Sequence, residues 1–395
     1  MKILLANKFY YPRGGAEMYV INLETLLREH GHEVAVFSMQ HPQNFPTEYG
    51  KFFPKEVDFT HIRARDFFRY ITRPLGSKEV IDKFSRLMDE FQPDLVHFNN
   101  THSQLSPVIA KIAHKKGTKI VWTLHDYKMI CPRYDCLRKG NYCNLCNTGK
   151  LSVIRYSCMK NSRLASIIAY LEAVKWTRDK LEKYTTAFIC PSKFMKSQML
   201  NGGFDKEKLI VLPNFVSIRK NNPINCKKED YYCYVGRISE EKGVETLLQA
   251  AQQLPYPLKI AGKGPLFDVL QSRYASDKIE FLGYLNQDEV KLLMGKARFS
   301  VIPSECYENN PLSGIESLCL GTPVLGANIG GIPEMIEENR NGMLFESRNV
   351  GSLVEKINQF FVGTISFNYE SIVSESREKF SADKYYQSLI EYYKK

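Results

Sequence analysis

The chain has 395 residues, 44% hydrophobic and 25% charged, with only 24 glycines and 18 prolines, which suits two or three ordinary domains and excludes disordered and fibrous architectures. No apolar run approaches the ~18 residues of a membrane span. The formal net charge of +11 sits in the first half: residues 1–212 carry 33 Lys and Arg against 20 Asp and Glu, and residues 213–395 carry 21 against 23.

In chain order, KILLA (2–6), EVAVFSM (33–39), LVHFN (95–99), KIVWTLH (119–125) and AFICPS (187–192) are apolar runs of strand length separated by amphipathic stretches. This alternation predicts a parallel sheet with helices on both faces. The first run follows one basic residue and is too short for a secretory leader, so a cytoplasmic protein is expected. After LIVLPNFV (209–216) the pattern restarts with YYCYVGR (231–237), LKIAGKG (258–264), IEFLGYL (279–285), FSVIPS (299–304) and TPVLGAN (322–328). The reading is α/β with two doubly wound domains joined near Pro213. The segment SADKYYQSLIEYYKK, with Tyr385, Tyr386, Leu389, Ile390 and Tyr393 at helical spacing, predicts a closing helix.

Ligands of such sheets sit at the carboxyl ends of the strands. After the first strand, Gly14-Gly15 opens a helix; the pair either exposes N–H groups to an anion or makes a tight turn. After the fourth strand, His125 either meets a ligand oxygen or is structural. Gly236-Arg237 and Lys242 place two cations five residues apart at a helix start, which suits a diphosphate. Glu308 and Glu316 flank Asn309, Asn310, Pro311, Leu312 and Ser313 at a loop-to-helix junction. There, carboxylates accept sugar hydroxyls and backbone N–H groups hold phosphate.

Together Gly14-Gly15, His125, Arg237 with Lys242, Gly262-Lys263-Gly264-Pro265, Glu308 with Glu316, Gly321-Thr322-Pro323 and Gly330-Gly331-Ile332-Pro333-Glu334 resemble the family 4 retaining glycosyltransferases of GT-B fold, the group 1 enzymes of surface-polysaccharide type. The resemblance implies a Rossmann-like acceptor domain (1–212), a Rossmann-like donor domain (213–377) facing it across a cleft, and a C-terminal helix (about 378–395) closing on the first. It also implies retaining transfer from a nucleotide-sugar to a glycan acceptor, with no cofactor and no catalytic metal; no D-x-D motif occurs. In this reading Arg237 and Lys242 neutralise the departing diphosphate, Glu316 holds the ribose, and Glu308 and His125 contact the transferred sugar. Gly14, Gly15, Gly236, Gly262 and Gly264 line the donor, as do Asn309 to Ser313, where many relatives carry a G-F-G segment instead. A non-catalytic sugar-nucleotide scaffold or a GT-B epimerase is the alternative.

Residues 101–200 hold 18 basic and five acidic side chains and no nucleic-acid module, which favours an anionic leaflet or a phosphorylated substrate over nucleic acid. A lipid-linked glycan acceptor at the cytoplasmic face of the inner membrane fits that charge. HIRARDFFRYITR (61–73) reads either as a leaflet-binding helix or as a packed helix with a solvated basic face. LASIIAYLEAVKW (164–176) is apolar enough to be buried or to line an acceptor groove. Cys131, Cys143, Cys146 and Cys158 could bind structural zinc; free thiols are the other reading.

Overall fold

The computed structural model describes residues 1–59, 67–217, 227–363 and 365–394. The chain divides into two units, Met1–Leu212 together with the chain from Tyr386 onward, and Pro213–Tyr385.

The first unit is built on a parallel sheet of β1 (Lys2–Ala6), β2 (Glu33–Phe37), β3 (Leu95–Phe98), β4 (Lys119–Thr123), β7 (Ala187–Cys190) and β8 (Leu209–Val211), in the order β2-β1-β3-β4-β7-β8. Two short strands between, β5 (Leu137–Arg138) and β6 (Asn141–Tyr142), pair only with each other. Because helices cover both faces of the large sheet, its strands are buried along nearly their whole length, as in β3, where all four residues are inaccessible. His97 on β3 therefore lies in the core. Its Nε2 is 2.7 Å from Thr123 Oγ1 and its Nδ1 meets the Tyr393 hydroxyl at 2.5 Å. Tyr393 belongs to the helix Ala382–Lys394, so this network ties the end of the chain to the sheet.

The second unit repeats the plan with β9 (Tyr232–Val235), β10 (Leu258–Ala261), β11 (Ile279–Gly283), β12 (Ser300–Ile302), β13 (Val324–Ala327) and β14 (Gly342–Phe345), all parallel, ordered β11-β10-β9-β12-β13-β14. The chain winds outward from β9 and then returns to its other side, so the strand order reverses between β9 and β12. Those two strands pair only through Cys233 and Ser300. A reversal of this kind leaves a crevice beyond the carboxyl ends of the strands.

The ten expected runs each contain a strand, and all but the first are shortened at the carboxyl end where the chain turns into a loop. β5, β6, β8 and β14 lie outside them. Of the stretch 61–73, residues 61–66 lie outside the described residues, and the rest falls in the helix Phe67–Gly76. Of the two readings of 164–176, burial does not hold for the larger side chains of the helix Arg163–Lys175: Leu164, Ile167, Leu171 and Val174 are exposed. Its small residues Ser166 and Ala169 face inward with Glu172, which pairs with Lys128 at 3.2 Å.

Candidate active site

The loops after β9 and β12 are the ones that flank the strand-order reversal, and they are stitched together. Glu305 N–H donates to Glu241 O at 3.0 Å. Gly243 has φ +64°, and a Cβ there would lie 2.0 Å from Pro303 O. Only glycine allows this approach. The result is a direct contact between residues far apart in sequence: Lys242 Nζ donates to Glu308 Oε1, which also accepts from Ser304 Oγ at 2.8 Å. Burial alone would push Lys242 down, but the Glu308 carboxylate outweighs it and holds the ammonium above its ordinary value. Burial would likewise raise Glu308, and Lys242 with the Ser304 hydroxyl brings it below the usual carboxylate range. Both are charged at neutral pH.

Glu308 is also fixed through its backbone. Gly331 N–H donates to Glu308 O at 2.7 Å, and Gly330, at φ +62°, packs so closely that a Cβ would lie 2.4 Å from the same oxygen. Sequence reasoning did not assign Ser304, or this bracing by Gly330 and Gly331, to the site. The glycine pair itself was the available signal.

Arg237 is exposed and makes no ion pair among the described residues. The helix Leu312–Cys319 starts at Pro311, with no side chain capping it. Among the described residues the Leu312 and Ser313 N–H groups have no hydrogen-bond acceptor. An uncapped helix start beside an exposed guanidinium loop and a lysine is a setting for an anion. Asn310 is committed elsewhere: its Oδ1 accepts from Asn214 N–H at 2.8 Å and its carbonyl from Asn214 Nδ2 at 2.7 Å. Glu316, one turn into the helix, is raised by burial to about 7, against a weaker pull from Lys291. Gly262 and Gly264 abut the loop after β9, where a Cβ would lie 1.8 Å from Gly236 O and 2.1 Å from Ile238 O respectively. Their glycines are required by backbone packing.

In the first unit Gly14 and Gly15 behave differently. Gly14 is extended (φ −165°) and a Cβ on Gly15 would meet nothing within 4 Å, so the chain's own turn does not require the pair. His125 Nε2 lies 2.9 Å from Asn99 Oδ1, and Asn99 Nδ2 faces His97 O, which makes Nε2 the protonated nitrogen. Burial lowers His125 to about 4, with Asp126 opposing and Lys8 assisting, so the imidazole is neutral at pH 7.

Of the two readings of the cysteines, zinc and free thiols, the geometry offers no ready metal cage for the first: among the described residues no three His, Cys, Asp or Glu side chains are arranged to hold a metal ion. Cys131 instead takes a hydrogen bond from Cys136, which lowers it to about 7 against the opposing effect of burial. Cys146 is buried with Val153 and Ala169, and burial raises its thiol to about 12. Cys143 and Cys158 remain free thiols.

Comparison with known proteins gives two family matches that run nearly end to end: "Glycosyltransferase Family 4" over residues 13–220 and "Glycosyl transferases group 1" over residues 217–381. The chain belongs to glycosyltransferase family 4. This glycosyltransferase is 23% identical over its whole length to the uncharacterized glycosyltransferase MJ1607 of Methanocaldococcus jannaschii, covering 98% of that protein. It is 26% identical over 85% of its length to an uncharacterized 42.6 kDa protein in the cps region of Klebsiella pneumoniae, covering 87% of it. Its fold matches that of Anabaena Alr3699/HepE in complex with UDP with a TM-score of 0.66, over 99% of both chains at 17% identity. The two six-stranded parallel units are thus those of the GT-B fold.

Proposed function

We propose that this glycosyltransferase moves a sugar from a nucleoside-diphosphate sugar to a glycan acceptor with retained anomeric configuration and no catalytic metal ion, acting in the cytoplasm on a lipid-linked precursor of a surface polysaccharide. The observation that carries the reading is the Lys242–Glu308 pair at the strand-order reversal, with the Arg237 loop before it and an uncapped helix after it. Lys242, Arg237 and the Leu312 and Ser313 N–H groups stabilise the diphosphate as its bond to the sugar breaks. Glu308, held ionised by Lys242, accepts hydrogen bonds from sugar hydroxyls, and the acceptor hydroxyl attacks from the face the diphosphate leaves, passing its proton to the departing phosphate oxygen. The UDP complex of the Anabaena relative and the cps location of the Klebsiella relative support the donor class and the polysaccharide context. Gly14, Gly15 and His125 are assigned to the donor as well, the neutral His125 to the transferred sugar. No helix among the described residues is long and apolar enough to cross a membrane.

The test is nucleotide release from a panel of nucleotide sugars. Release should begin with one donor, rise when a glycan acceptor is added and persist in excess chelator. Loss of turnover in chelator, restored by a divalent metal, would refute the metal-free reading. A product of inverted configuration would refute retention.

Glu316 supplies a further check. With its carboxyl raised to about 7, it is mostly protonated at pH 6 and ionised at pH 8. If the carboxylate accepts the ribose hydroxyls, affinity for the nucleoside diphosphate that the wild type binds increases as pH rises through about 7. In the absence of nucleotide the sign is opposite: the raised folded value contributes stability that is complete below the ordinary carboxylate range and is lost as pH rises toward 7. Titration calorimetry for affinity, and thermal melting without nucleotide for stability, each at pH 6 and 8, should show both slopes flattened in Glu316→Gln. A variant that retains the wild-type pH profile removes Glu316 from the nucleotide site.

A further inference from the structure

The helix Arg163–Lys175 presents Leu164, Ile167, Leu171 and Val174 outward. At three-four-three spacing these fall on one side of the helix, with Arg163 and Lys175 at its two ends. The surface continues beyond the helix. Half of the exposed large apolar side chains among the described residues, nine of eighteen, lie between Tyr134 and Val174, including Leu151 at 64% exposure. The segment before the helix is packed on its inner side through Cys146, Val153 and Ala169. The helix Phe67–Gly76 packs beside it and carries Phe68 at 83% exposure.

Charge decides what covers this face. Between Tyr127 and Thr177 the chain has nine Lys and Arg and two acids. Both acids are used internally: Asp135 pairs with Arg133 at 2.8 Å, and Glu172 is buried against Lys128 and Ser103. The exposed face thus carries apolar and tyrosine side chains among cations that make no ion pair among the described residues, such as Lys139, Arg155 and Lys160. A second copy would bring like charge against like charge. An anionic surface with an apolar layer beneath it matches both features.

We propose that the outward face of the helix Arg163–Lys175, with the cysteine-bearing segment before it, docks this glycosyltransferase on an anionic membrane leaflet. This rests on the reading of the acceptor as lipid-linked and gives that reading its surface. The aliphatic stripe enters the headgroup boundary, and the flanking cations meet lipid phosphates.

The test is sedimentation with phosphatidylcholine vesicles, with and without phosphatidylglycerol, at low and high salt. The full chain is compared with Ile167→Glu/Leu171→Glu and with Val269→Glu, a control exposed on the other unit. Thermal melting and nucleotide release in the absence of acceptor monitor fold and donor site. The wild type should sediment with the anionic vesicles and less so as salt rises. The double variant should lose at least tenfold in partitioning while its melting and nucleotide release stay at wild-type values, and Val269→Glu should sediment like the wild type. Equal sedimentation of the double variant, or equal binding to neutral vesicles, overturns the proposal. A dimer in light scattering that the same substitutions dissociate also overturns it, in favour of a second copy on this face. Nucleotide release without vesicle binding defeats the docking alone, and vesicle binding without nucleotide release defeats the transfer reading.

Discussion

Arg237→Ala is expected to lower sugar transfer by about two orders of magnitude while leaving the melting temperature where it is, by analogy with the loss of one preorganised donor to a developing anion. The reason is its surroundings. The guanidinium is exposed and unpaired among the described residues, so its removal costs the fold almost nothing. In the proposed mechanism its contribution appears only when charge collects on the leaving diphosphate, so the loss should fall on kcat more than on KM. Arg237→Lys should recover part of the rate, since it restores the charge without the planar fork. A variant that transfers sugar at near wild-type rate would remove Arg237 from the diphosphate.

Lys242 predicts a different pattern, because it has a partner in the protein. Lys242→Met leaves the Glu308 carboxylate enclosed without its cation, which should cost about 3 kcal/mol of stability, at the low end for broken buried pairs since Lys242 is partly accessible. Turnover should fall by about 10² or more. Glu308→Leu alone strands the ammonium and should also destabilise. In the double variant no charge is stranded, so melting should return toward wild type while transfer remains lost. Recovery of both together would mean that the pair serves only to brace the loops. The cycle thereby separates the pair's structural contribution from its chemical one.

Much of this was legible in the sequence. The strands were readable because a parallel sheet covered on both faces leaves continuous apolar runs, and the loops that follow them carry the glycines and cations. β14 escaped because GMLF is short and follows a turn that reads as a loop. The pairing of Lys242 with Glu308, 66 residues apart, and the commitment of Asn310 to Asn214 are tertiary contacts for which spacing carries no signal. The two readings of 164–176 stayed open for a physical reason: a segment apolar all round does not say which side is buried, and in the helix Arg163–Lys175 small residues face the core while the larger ones face out. For the cysteines the sequence left zinc and free thiols both open, and Cys136, outside the possible ligand set, is the neighbour Cys131 meets.

The His97–Tyr393 contact bears on how the chain is made. The sheet of the first unit precedes the second unit in the chain, yet the hydroxyl that meets its buried imidazole belongs to Tyr393, 296 residues later. A fragment stopped at Leu212 would leave that imidazole without the hydroxyl and open the apolar bed of Tyr393, which is 1% exposed in the whole protein. On the ribosome, where domains ordinarily mature from the N-terminus onward, the order is inverted. The unit that emerges first receives this contact only after the entire second unit has been translated.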